Sequence, residues 1–342
     1  MWNRLDIEKI NVGLQQTGKA IIAMGCSFVA GQGCLDDEIY ENFKLTYPGP
    51  GYALTVERDK IIELKLKHPL LKVNYMGQID GRKMEEKNAF VDVLANKYLE
   101  GAYTPINFGQ SGGANRGRVK ELYLNPGINW DAMKEVIVIY WPTSIERFDF
   151  INDSSFLTSH FKTVWPNTTD NNKSTPMGKM WAAYGEAIYT EKFGVMEQIA
   201  TVQELMTWCK LKNAKLIVTP AFDRRYNKAD FHRIMRTEIV RDLDWNIIDL
   251  IEGSQDETLD PLIDLFPWEN ILVPGDLPED RNTFIDYCLK QEPDIKDTND
   301  HYFQFMNNRS PRGWITPCSH PGKKAHDAYA KFISEHIINN NV

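Results

Sequence analysis

Four short segments bring together residue types that do hydrolytic chemistry. Gly25-Cys26-Ser27-Phe28 sets a serine just after an apolar run, and Asn107-Phe108-Gly109-Gln110-Ser111-Gly112 offers small residues and backbone donors. Trp141-Pro142-Thr143-Ser144 supplies hydroxyls, and Ser319-His320-Pro321-Gly322 places an imidazole just ahead of a helix. A serine hydroxyl attacks a carbonyl only when a base takes its proton, and histidine is the commonest base. Ser27 and His320 are therefore the expected nucleophile and base. The N–H groups of Ser27 and Gly109, helped by the Thr143 hydroxyl, are the expected donors to a developing oxyanion. Glycine suits that place because no side chain blocks the approach of a substrate. Cys26 reads as a buried thiol pointing away from Ser27. The glycine-rich run 109–115 lacks the lysine of a P-loop and the glycine spacing of a dinucleotide site. His326 falls six residues after His320 and does not share a helical face with it, so no zinc site is expected and His326 reads as a surface or helix-capping histidine. No metal and no cofactor are expected.

In this order the segments resemble the SGNH (GDSL) hydrolase family of serine esterases and lipases. The first block of that family reads Gly-Asp-Ser, and here it is Gly25-Cys26-Ser27 followed by Phe28. The second, Asn-x-Gly-x-Ser-Gly, is matched in full from Asn107 to Gly112, and the last ends on His320-Pro321 leading into a helix. The resemblance spans roughly residues 20 to 332. It implies a flavodoxin-like, doubly wound three-layer α/β/α fold and ester hydrolysis through an acyl-enzyme on Ser27. The implied substrate is an ester, with an acylated carbohydrate as one carrier that the family uses. Two positions depart from the pattern. The third block usually offers an asparagine to the oxyanion where this chain has Thr143. The family's triad aspartate stands three residues before its histidine, which is Pro317 here. Asp297 or Asp300, from the preceding loop, or a backbone carbonyl are the alternatives for orienting His320.

These residues need a sheet edge to stand on. Short apolar, β-branched runs recur at 19–25, 104–108, 136–141, 215–220 and 246–250 and read as strands. Between them, apolar residues at three- and four-residue spacing predict helices over 87–99, 116–124, 184–212 and 322–338. Alternation of this kind implies crossover connections and a mostly parallel sheet covered on both faces. Ligands bind such sheets beyond the carboxyl ends of the strands, where all four segments fall. A single domain over 1–342 is expected, carrying long insertions near 36–86, 151–180 and 252–313. The aromatic residues of the loops (Trp165, Trp181, Phe266, Trp268, Phe303, Phe305 and Trp314) divide evenly between a lid or sugar-stacking platform and ordinary core.

The 342 residues are 42% hydrophobic and 25% charged, enough for a substantial core. A net charge of −8, from 39 basic and 47 acidic residues, argues against general nucleic-acid binding. No apolar run approaches the length that crosses a bilayer, and the first residues form no apolar leader, so no membrane insertion and a cytoplasmic setting are expected. Five scattered cysteines give no disulfide framework. The rival expectation is a hydrolase-fold binding or structural module of little activity. It would be a homo-oligomer or part of a larger assembly, and a virion component if the chain is phage-encoded.

Overall fold

The computed structural model describes residues 5–32, 34–43, 45, 55–110, 113–151, 161–164, 179, 182–185, 189–244, 247–253, 257–274, 277, 282–291, 314 and 320–340. At its centre lie four strands, β1 (Lys19–Met24), β2 (Thr104–Asn107), β3 (Glu135–Tyr140) and β4 (Lys215–Val218). They are all parallel and adjoin in the order β2-β1-β3-β4, with Ala23 opposite Asn107 and Met24 opposite Tyr140. The fold is α/β, a three-layer α/β/α arrangement as expected.

The two faces are legible in the alternation of side chains. Ala20, Ile22 and Met24 of β1, with Val136, Val138 and Tyr140 of β3, enter one core. Ile21 and Ala23, with Ile137, Ile139 and Trp141, enter the other. A strand buried on both sides has no polar face to show, which is why these runs are continuously apolar. Helices α1 (Ile7–Thr17), α3 (Asn115–Leu124) and α4 (Glu191–Lys212) cover the first face. The segment Phe90–Tyr98 and α5 (Lys323–Asn340) cover the second. The short helix α2 (Ser27–Ala30) follows β1. Strand order reverses between β2 and β3 around β1, so the crevice where an α/β sheet holds ligands opens at the carboxyl ends of β1 and β3.

One expected strand is elsewhere. The run 246–250 does not join the sheet; Ile247–Ile251 pairs antiparallel with Glu238–Arg241 in a separate ribbon. Its Ile248, Leu250 and Ile251 are exposed, so local apolarity here did not signal burial. The position beside β4 is taken instead by Ile271, in a parallel bridge to Val218, and Leu272 N–H donates to the Val218 carbonyl.

The insertions differ in character. That near 36–86 has its own core of Leu35, Ile39, Phe43, Leu64, Val73, Ile79 and Met84. Within 151–180, the described part pairs Phe161–Val164 with Phe148–Ile151. Phe266 and Trp268 pack onto Phe231 with centroids 5.4 and 5.2 Å away, and Trp314 is buried against Tyr287. These three serve packing. Trp165, Trp181, Phe303 and Phe305 lie outside the described residues. Among the described residues no helix is long and apolar enough to cross a membrane.

Candidate active site

Ser27 opens α2 immediately beyond β1. The turn is tight: a Cβ on Gly25 would stand 2.6 Å from Val29 Cγ2 and 2.9 Å from the Trp141 carbonyl. Gly31 ends the helix at φ +75°, its N–H returning to the carbonyls of Ser27 and Phe28. That left-handed conformation favours glycine. As first residue of a helix, Ser27 keeps an N–H with no intrahelical acceptor. Cys26, one residue earlier, is 1% exposed and packs in the second core, so the thiol is turned away from the serine as expected.

His320 arrives from the far end of the fold. Its Nε2 lies 2.9 Å from Ser27 Oγ, a hydrogen bond joining residues 293 apart in sequence. The imidazole is steadied edge-on by Phe28, with centroids 5.3 Å apart at 89°. Phe28 is itself braced edge-on by Phe222 at 5.5 Å, and the Arg147 guanidinium lies 5.2 Å over the Phe222 ring. The chain after His320 is anchored by Gly322 N–H on the Trp314 carbonyl and then runs into α5. Asp297, Asp300, Pro317 and Ser319 lie outside the described residues, as do Ser111 and Gly112.

Gly109 has an acceptor within its own turn. Its N–H donates to Asn107 Oδ1 at 2.9 Å, while Asn107 Nδ2 donates to the Val29 carbonyl at 2.9 Å. The carboxamide thus closes a turn on its own backbone and clamps the β2 loop to α2. The N–H is committed to that turn and serves an oxyanion only by sharing. The reason for glycine is instead the close approach of α2: a Cβ would stand 2.3 Å from Ala30 N and 2.7 Å from Val29 C.

Thr143 sits in the loop after β3, on the same edge of the sheet. It is fully buried, and its Oγ1 makes no hydrogen bond among the described residues. Its backbone is fixed from both sides. Asn115 Oδ1 accepts the Thr143 N–H at 2.7 Å, and the Thr143 carbonyl accepts the Tyr226 hydroxyl at 2.7 Å. Tyr226 also donates to Gln198, whose amide donates to Tyr140. Two residues on, Ile145 N–H donates to Asp223 Oδ2, and Arg225 pairs with Asp223 at 2.8 Å. An unpaired buried hydroxyl costs about 1–3 kcal/mol, and its removal relieves that cost. Thr143→Val is expected to raise unfolding stability by about 1 kcal/mol in urea titrations, because shape is kept and only the orphan hydroxyl goes. If the hydroxyl donates to the oxyanion, the same variant loses roughly 10- to 100-fold in kcat with KM unchanged.

Other expectations resolve as packing. His326 is fully buried rather than on the surface, and it caps a helix as the alternative had it: its Nδ1 accepts the N–H of Phe90, first residue of Phe90–Val93, at 3.0 Å. Desolvation, then the neighbouring His320, push its pKa down to about 3, so the ring is neutral. Arg118 is buried, at 4% exposure. Asn107, Asn115 and Asp223 position the site, and their roles were missed. An asparagine opening a helix was the one local sign of Asn115, and it did not tell which loop the side chain would hold. The chain matches no protein-family model, no curated protein and no solved structure.

Proposed function

We propose that the protein is a serine hydrolase acting on ester bonds, with Ser27 as nucleophile and His320 as general base and acid. The observation that carries this reading is the 2.9 Å contact between Ser27 Oγ and His320 Nε2 at the switch point of the sheet. In the reaction, Ser27 Oγ attacks the acyl carbon while His320 Nε2 takes its proton. The carbonyl oxygen becomes an oxyanion beside the Ser27 N–H, and the Thr143→Val variant tests whether the buried Thr143 hydroxyl also donates to it. His320 then passes its proton to the leaving alcohol, and an acyl group remains on Ser27. Water, deprotonated by His320, releases the acid. The SGNH family that the four segments resemble includes both carbohydrate deacetylases and lipases, and an acylated sugar is the carrier we propose.

The test is covalent labelling of the whole chain by a fluorophosphonate probe. Wild type is expected to label at Ser27, and Ser27→Ala is expected to lose the label while its circular dichroism is unchanged. Failure of folded wild type to label would overturn the reading. A second reading, a binding module with a residual dyad, is favoured by the commitment of the Gly109 N–H to Asn107. It is separated by turnover: such a module would label yet release no acid from acetylated sugars or aryl esters.

A further inference from the structure

Beyond the serine site, the 36–86 insertion carries a second cluster of ligating side chains. Asp36, Glu38 and His68 each present one donor atom, and these atoms lie within 4.8 Å of one another. His68 caps the helix Ile61–Lys67 and is only 7% exposed, its ring edge-on to Phe43. A buried imidazole ordinarily finds a hydrogen-bond partner. This one makes none among the described residues; its Nε2 points at Glu38 Oε1 across 3.8 Å, beyond hydrogen-bond reach. Ligands that share one cation at about 2.1 Å stand roughly 3.4 Å apart in a tetrahedron, so a movement of a few tenths of an ångström brings this pair to that spacing.

Asp36 is held in place for the same task. Asn88 Nδ2 donates to its Oδ1 at 3.2 Å while also donating to the Cys34 carbonyl at 2.9 Å. Outer partners of this kind orient carboxylate ligands. The Lys323 ammonium sits on the same Oδ1 at 2.6 Å, which leaves Oδ2 for a cation. That ammonium is paired with Asp36 and competes with any metal there.

We propose that Asp36, Glu38 and His68 bind one divalent cation of the zinc or manganese class, a class that one imidazole and two carboxylates suit. The site would clasp the start of the insertion to the end of the helix at His68. Because Lys323 lies three residues after His320, the cation would also loosen the Lys323–Asp36 ion pair, which ties the insertion to the start of α5. The proposal is independent of the hydrolase reading and its readout is binding, not activity.

The experiment is calorimetric titration of Zn²⁺, and separately of Mn²⁺, into the full chain after chelator treatment. One equivalent is expected to bind for at least one of the two. Glu38→Gln is expected to weaken it by about tenfold or more, and its 63% exposed side chain makes misfolding a poor explanation. Lys323→Met is expected to tighten binding several-fold by removing the competing ammonium, a gain that a surface site elsewhere would not show. Absence of binding by both cations would overturn the proposal. So would an affinity that Glu38→Gln and Lys323→Met both leave unchanged.

Discussion

Replacing His320 with alanine is expected to lower ester turnover by about 10⁴- to 10⁶-fold, with KM little changed. The imidazole is half-buried and contacts Ser27 and the edge of Phe28, so its removal takes away the base that faces the serine. The informative variant is the double replacement. In a dyad the two side chains act as one device, so Ser27→Ala with His320→Ala is expected to lose no more than either alone. Steady-state kinetics on an aryl ester, run on all three variants, checks this. Two losses that multiply would mean that serine and histidine act separately, and the assignment of roles would fall.

The second large effect is expected at Gly109. In Gly109→Ala the new methyl meets the backbone of α2, 2.3 Å from Ala30 N, where no side chain can swing aside. Either α2 or the β2 loop must move, and the Asn107 clamp to Val29 ties the two together. Overpacking against backbone is expected to cost about 3 kcal/mol, which for a chain of this length is a fall in Tm of about 4 °C. Since Ser27 starts the displaced helix, labelling by a fluorophosphonate is expected to slow by about 100-fold, the penalty for misplacing a reacting group by about an ångström. Asn107→Ala separates the two causes, because it opens the clamp without adding an atom. If Gly109→Ala melts and labels like wild type, the close approach of β2 loop and helix is not what requires glycine.

The central sheet was readable because strands buried on both faces must be apolar at every position, and the runs at 19–25 and 136–141 are. The run at 246–250 carried the same local signal and went into an exposed ribbon, since apolarity over five residues does not say what will cover it. The dyad was readable because serine after a strand and histidine before a helix are local features at fixed places on a sheet edge. What held them was not. Asn115 grips Thr143 across 28 residues, and Asn107 spends its carboxamide on Gly109 and Val29 in place of the substrate. Those choices are made by tertiary geometry. The cluster of Asp36, Glu38 and His68 was hidden for the same reason, the histidine standing at the end of the helix Ile61–Lys67, far along the insertion from the two carboxylates.

The span between Ser27 and His320 has a consequence for biosynthesis. Elongation at 5–20 residues per second takes roughly 15–60 s to cover it. Throughout that interval the nascent chain carries its serine without the imidazole that deprotonates it, and β1 waits for β3 before it has a neighbour on that side. On the proposed mechanism the hydroxyl gains its reactivity only when the histidine segment docks, and acylation competence would then mark docking of that segment rather than synthesis of the serine.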